Sequence, residues 1–124
     1  MRAFKTKSFH RWATREGLSD GALHGAIDEM TDGLVDADLG GHVYKKRVPF
    51  GSRGKRRAMR ILIAHRHGDK AFFIYGFDKN ERGNISQKEL RALRRLAAEL
   101  LDYREQSLRT ALKAKELFEV MSNG

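Results

Sequence analysis

The sequence contains no cysteine. That excludes disulfides, thiolate catalysis and cysteine-ligated zinc. No apolar run approaches the roughly 20 residues of a spanning helix. Met1–Phe9 lacks the apolar core of a signal peptide, so the expectation is a cytoplasmic protein with no membrane partner. There is no Walker-type glycine loop, GxSxG elbow or HExxH pair. Nor is there a compact carboxylate cluster of the kind that holds magnesium in two-metal nucleases. The expectation is therefore no metal and no other cofactor. The most informative absence is local: from Leu39 to Gly68 there is not one acidic residue.

That interval instead carries Lys45, Lys46, Arg47, Arg53, Lys55, Arg56, Arg57, Arg60 and Arg66. The rest of the chain mixes both signs, and the formal net charge is +9. Concentrated positive charge points to a polyanion, above all nucleic acid. The 124 residues suit one domain spanning 1–124, and 40% hydrophobic residues can build its core.

Local patterns give the organisation. Arg2–Thr6 reads as a short strand. Ser8 reads as the N-cap of a helix carrying Phe9, Trp12 and Ala13 on one side, stopped by Gly17. Trp12 is expected to pack on the sheet. Ser19 or Asp20 caps a second helix, whose Leu23, Ala26, Ile27 and Met30 share a face. Gly33 closes it and Gly40–Gly41 make a turn. Val43–Phe50, Met59–His65 and Ala71–Phe77 are strand-like. Ile61, Leu62 and Ile63 are apolar on both faces, as in a central strand. Ser86–Glu89 has capping-box spacing. The following helix lines up Leu90, Leu93, Ala97, Leu100 and Leu101, leaving Arg91, Arg94 and Arg95 largely in solvent. A shorter helix over Glu105–Lys113 and a strand in Glu116–Val120 complete the order βααβββα with a tail from residue 102. The short connections favour antiparallel neighbours. The class is α+β: helices packed on one face of a small antiparallel sheet.

Strand alternation divides the basic segment. Lys45 and Arg47 share one face of their strand, and Tyr44, Lys46 and Val48 share the other. With Tyr44 and Val48 toward the helices, Lys45 and Arg47 line the open face. Arg60 begins the next strand on the side of Leu62 and Ala64. Arg53, Lys55, Arg56 and Arg57 belong to the connection between the two strands, where they would bind RNA phosphates. The plainer reading of this segment is a solvated strand face with a charged loop. Lys79 to Arg82 read first as a polar turn with a local ion pair, worth at most about 1 kcal/mol. His65 and His67 form an HxH pair, but only Asp69 could serve as a third ligand, and solvated loop histidines are the reading preferred. A cationic site without metal ligands can still cleave RNA. The 2′-hydroxyl attacks the adjacent phosphate, while arginine and lysine stabilise the charge gained at phosphorus. A lysine crowded by cations can move protons.

KTKSFHRWATREGLSDGAL at Lys5–Leu23, DGLVDADLGGHVYKKRV at Asp32–Val48, Gly54–Lys55, Arg60, YGFDKNERGNISQKEL at Tyr75–Leu90 and the terminal ELFEV resemble the RelE/HigB-type toxins of bacterial toxin–antitoxin modules, especially the phage-related HigB-like branch. The resemblance implies a ribosome-dependent endoribonuclease that cuts translated mRNA in the decoding site, with contacts to 16S rRNA. It also implies a neutralising antitoxin, often with a helix-turn-helix domain. Carried over residue by residue, it selects Lys45, Arg47, Arg60, Lys79 and Arg82 for catalysis and Lys55 for phosphate binding. One stretch departs: the family loop often reads GKSGG-aromatic-R, whereas here it is Gly54–Lys55–Arg56–Arg57–Ala58–Met59–Arg60. A relative that binds RNA or the ribosome without cutting is the alternative. Superfamily members that inhibit gyrase are a third reading, and they generally lack this basic set.

Overall fold

The computed structural model describes residues 1–50 and 57–121, with only the strand backbone at 49, 50, 57 and 58. Arg53, Lys55 and Arg56 therefore lie outside the described residues. The elements are β1 (Ala3–Thr6), α1 (Lys7–Glu16), α2 (Asp20–Thr31), β2 (Ala37–Asp38), β3 (Val43–Phe50), β4 (Arg57–His65), β5 (Ala71–Asp78), α3 (Gln87–Leu101), α4 (Glu105–Lys113) and β6 (Leu117–Glu119). They form a sheet in the order β2-β3-β4-β5-β1-β6. The α+β class holds. Among the described residues, no helix is long and apolar enough to cross a membrane.

The helices cover both faces of the sheet, not one. Met59, Ile61 and Ile63 of β4 join Phe73, Val48 and the apolar sides of α1 and α2 in one core. Leu62 and Ala64 join Val43, Phe72, Ile74 and the apolar sides of α3 and α4 in a second. The reason is the run Met59–Ala64 apart from Arg60. Its apolar residues point alternately to the two faces, and each is fully buried. Each of the larger side chains, Met59, Ile61, Leu62 and Ile63, is worth about 1.5–3 kcal/mol when buried, so both faces need a cover.

The sheet also contains a parallel pair. β3, β4 and β5 are antiparallel neighbours joined by short connections. β1 lies on the far side of β5 and runs parallel to it, Phe4 opposite Phe72. The whole chain between them intervenes, so no tight turn forces antiparallel pairing. β6 closes that edge antiparallel to β1. The two-residue β2, absent from the sequence reading, pairs with Tyr44 and Lys45.

Helix boundaries correct one capping assignment. Thr6, not Ser8, caps α1: it is extended (φ −65°, ψ 160°) and its hydroxyl accepts from the Phe9 N–H. The chain passes straight from β1 into the helix, which leaves Ser8 inside the first turn. Ser19 caps α2 and Gly17 ends α1 at φ 75°. Arg94 is not in solvent. Its guanidinium donates to the Leu39 carbonyl at 2.9 Å through Nε, and its stem packs over Gly41. It thus ties α3 to the turn before β3.

Trp12 packs on the sheet as expected, at one particular point. A Cβ at Gly76 would stand 2.2–2.6 Å from the Trp12 ring. Gly76→Ala must therefore displace the indole or β5. The expected loss is about 1–3 kcal/mol, read from the shift of the urea midpoint. An unchanged midpoint would show that this contact constrains nothing.

Candidate active site

The site is built on the face of the sheet against which α3 and α4 pack. Register aligns its residues in two rows. Lys45, Leu62 and Tyr75 are cross-strand neighbours, and so are Arg47, Arg60 and Phe77. Directly opposed side chains in such a sheet have Cβ atoms about 4.5–5.5 Å apart. Lys45 and Arg47 therefore share a face with Arg60, as alternation implied.

A β-bulge puts the aromatic residues there. Ile63 pairs with Phe73, but Leu62 pairs with Tyr75, so Ile74 is the extra residue. Ile74 and Tyr75 both join the second core. Without the extra residue Tyr75 and Phe77 would face α1. Sequence reasoning missed both aromatics as site residues, because strict alternation cannot reveal a bulge.

The cations are not equivalent. Arg47 is exposed and Lys45 half-buried, and neither makes an ion pair among the described residues. Arg60 is largely covered, its side chain 13% exposed, and its Nε stands 3.3 Å from an Asp36 oxygen. Lys46, on the opposite face, is buried and paired with Glu29 at 2.7 Å. Met59 is fully buried in the core under α1 and α2, so it packs internally and is turned away from the Arg60 face. Arg57 starts β4. The acid-free interval is thus not acid-free in space, since Asp36 arrives from the segment before β2.

The segment after β5 is closed by its own backbone. The Asp78 carbonyl accepts from the N–H groups of Glu81 and Arg82, each at 3.0 Å. The Asp78 side chain accepts from the Asn80 N–H at 2.9 Å. Lys79 is exposed on this turn. Arg82 pairs with Glu89, not with the adjacent Glu81. Its Nη2 donates to Glu89 at 2.6 Å and its Nη1 at 3.1 Å. Nη1 also donates to the Tyr75 hydroxyl at 2.9 Å, and the guanidinium lies 6.0 Å from the centre of the Phe77 ring. Glu89 serves twice, because it also accepts from the Ser86 N–H in the capping box of α3.

These contacts shift the titrations in opposite directions. Hydrogen bonds from Arg82, then from Ser86, push the Glu89 carboxyl down to about 2. The Arg82 guanidinium is held above its ordinary value, chiefly by Glu89. Burial, followed by the competing effects of Arg82 and Glu89, leaves the Tyr75 phenol raised. His65 and His67 lie away from these rows: the His65 ring contacts the Lys70 carbonyl at 3.2 Å, and Asp69 is held by Arg66 and Lys70.

A half-buried lysine and an exposed arginine beside a largely covered arginine can bind and polarise a phosphate. A family model described as "RelE toxin of RelE / RelB toxin-antitoxin system" matches residues 1–120. No curated protein matched the chain, and no solved structure did.

The Glu89 contacts give a pH prediction. Its folded value of about 2 lies below the ordinary 4.5. Its stabilisation is then complete above about pH 4.5 and is lost as pH falls toward about 2. Glu89→Gln retains a side chain able to cap α3 but cannot titrate. The fall of its thermal midpoint between those pH values should be shallower than that of the unmodified protein. Superimposable curves would refute the assignment.

Proposed function

This chain belongs to the RelE toxin family of the RelE/RelB toxin–antitoxin system, and we propose that it is a metal-independent endoribonuclease acting in the cytoplasm on mRNA in the translating ribosome. A cognate antitoxin, with a helix-turn-helix domain, neutralises it. The observation that carries this reading is the cross-strand group Lys45, Arg47 and Arg60 on one sheet face.

The chemistry follows from that group. The RNA 2′-oxygen attacks the adjacent phosphorus, the bond to the 5′-oxygen breaks, and the products are a cyclic phosphate and a 5′-hydroxyl. Phosphorus gains negative charge on the way. Arg47 and Arg60 stabilise that charge, since fixed cations cost no reorganisation when it develops. Lys45 orients the phosphate or moves a proton, and Lys79 adds charge from the turn beyond β5. Arg53, Lys55, Arg56 and Arg57 bind flanking phosphates and 16S rRNA. DNA has no 2′-hydroxyl, so the reaction is specific to RNA.

One observation favours a second reading. Arg60 is already paired with Asp36 and mostly covered, which suits a protein that binds the ribosome without cutting. The two readings separate in one experiment. Induction should arrest growth and create new 5′ ends inside reading frames. Arg60→Ala should reduce cleavage on programmed ribosomes by about 10²–10³-fold. Ribosome association without new 5′ ends would favour the binding reading. Unimpaired cleavage by the Arg47→Ala/Arg60→Ala double variant would put the site elsewhere.

A further inference from the structure

Arg82 differs from the other cations of the site in how much of it is already used. A guanidinium has five N–H donors. In Arg82, Nε donates to the Asn84 carbonyl at 3.1 Å. Nη1 donates to the Tyr75 hydroxyl and to Glu89, and Nη2 donates to Glu89. Four of the five are engaged within the chain. The fork that would clamp a phosphate in two bonds already clamps a carboxylate in that way. Arg47 on the same face has no such partner among the described residues.

The three partners come from three different places. Tyr75 is on β5, Asn84 is at the end of the turn, and Glu89 is in the first turn of α3. One side chain thus joins the strand, the turn and the helix. The Glu89 position is itself fixed by the reciprocal capping bonds with Ser86. Lys79 stands at the start of the turn held in this way.

We propose that Arg82 is a positioning residue, one that makes no contact with the scissile phosphate. With Glu89 and Tyr75 it latches the 79–84 turn to β5 and to the start of α3, and thereby sets where Lys79 stands beside the cationic face. This inference rests on the cleavage reading above for its catalytic consequence, and on the chain alone for the latch.

The two roles predict opposite effects of Glu89. If Arg82 bound phosphate, Glu89→Gln would free its fork, and cleavage would hold or rise. For a latch, Glu89→Gln and Arg82→Gln each lower cleavage about tenfold or more, and the double variant is no worse than either single one. Undiminished cleavage in Glu89→Gln, or a double variant much worse than either single one, would overturn the proposal.

A second readout does not depend on cleavage. The Arg82 Nε–H, held by Asn84, should exchange slowly with water in the NMR spectrum of the protein, and faster in Glu89→Gln. Equal exchange in both would remove the latch. If the unmodified protein cuts no RNA, the endoribonuclease reading fails and this measurement alone judges the latch.

Discussion

Two separate cores meet at the backbone of β4, and the remaining architecture follows from that meeting. Met59, Ile61 and Ile63 need a cover on one side, and Leu62 and Ala64 need one on the other. Helices α1 and α2 supply the first, and α3 and α4 the second. The alternation breaks at one point only, Arg60. It falls on the α3/α4 side at the end of the apolar stretch, in the candidate site, where its side chain is largely covered and paired with Asp36. That partner offsets the cost of covering a charge.

The β5 bulge makes the second half of that site. Inserting Ile74 between the Phe73 and Tyr75 pairings turns Tyr75 and Phe77 onto the face of Arg47 and Arg60. It also turns Gly76 toward Trp12, whose ring fills the space that a side chain would need. One extra residue thus positions the aromatic support for Arg82 on one face and an indole-to-backbone contact on the other. Bulges are common near active sites for this reason: they re-aim side chains without breaking the sheet.

Charge in this protein is sorted by partner more than by abundance. Lys46 and Arg60 are adjacent to Arg47 in sequence or in register, yet each meets a carboxylate: Glu29 for Lys46 and Asp36 for Arg60. Arg82 meets Glu89. Arg47 and Lys79 remain exposed. The number of cations in the segment therefore overstates the charge available to a ligand. Membership of the RelE toxin family gives this arrangement its functional setting.

Much was legible in the chain itself. The periods of α2 and α3, the Ser86–Glu89 capping box, the two-sided burial of β4 and the facing of Lys45 with Arg47 depend on interactions within a few residues, or on a side-chain period of two. Neighbours in sequence determine these, so the pattern shows them. Other features were decided only in three dimensions. The second layer of helices, the parallel placement of β1, the Asp36 contact to Arg60 and the choice of Glu89 over Glu81 by Arg82 all join residues whose separation carries no periodic signal. The bulge is hidden for a different reason: a single inserted residue keeps the composition of β5 and changes only which face each side chain takes. The residue types present thus marked a segment crowded with cations, and the packing decided which of them meet a carboxylate and which stay exposed.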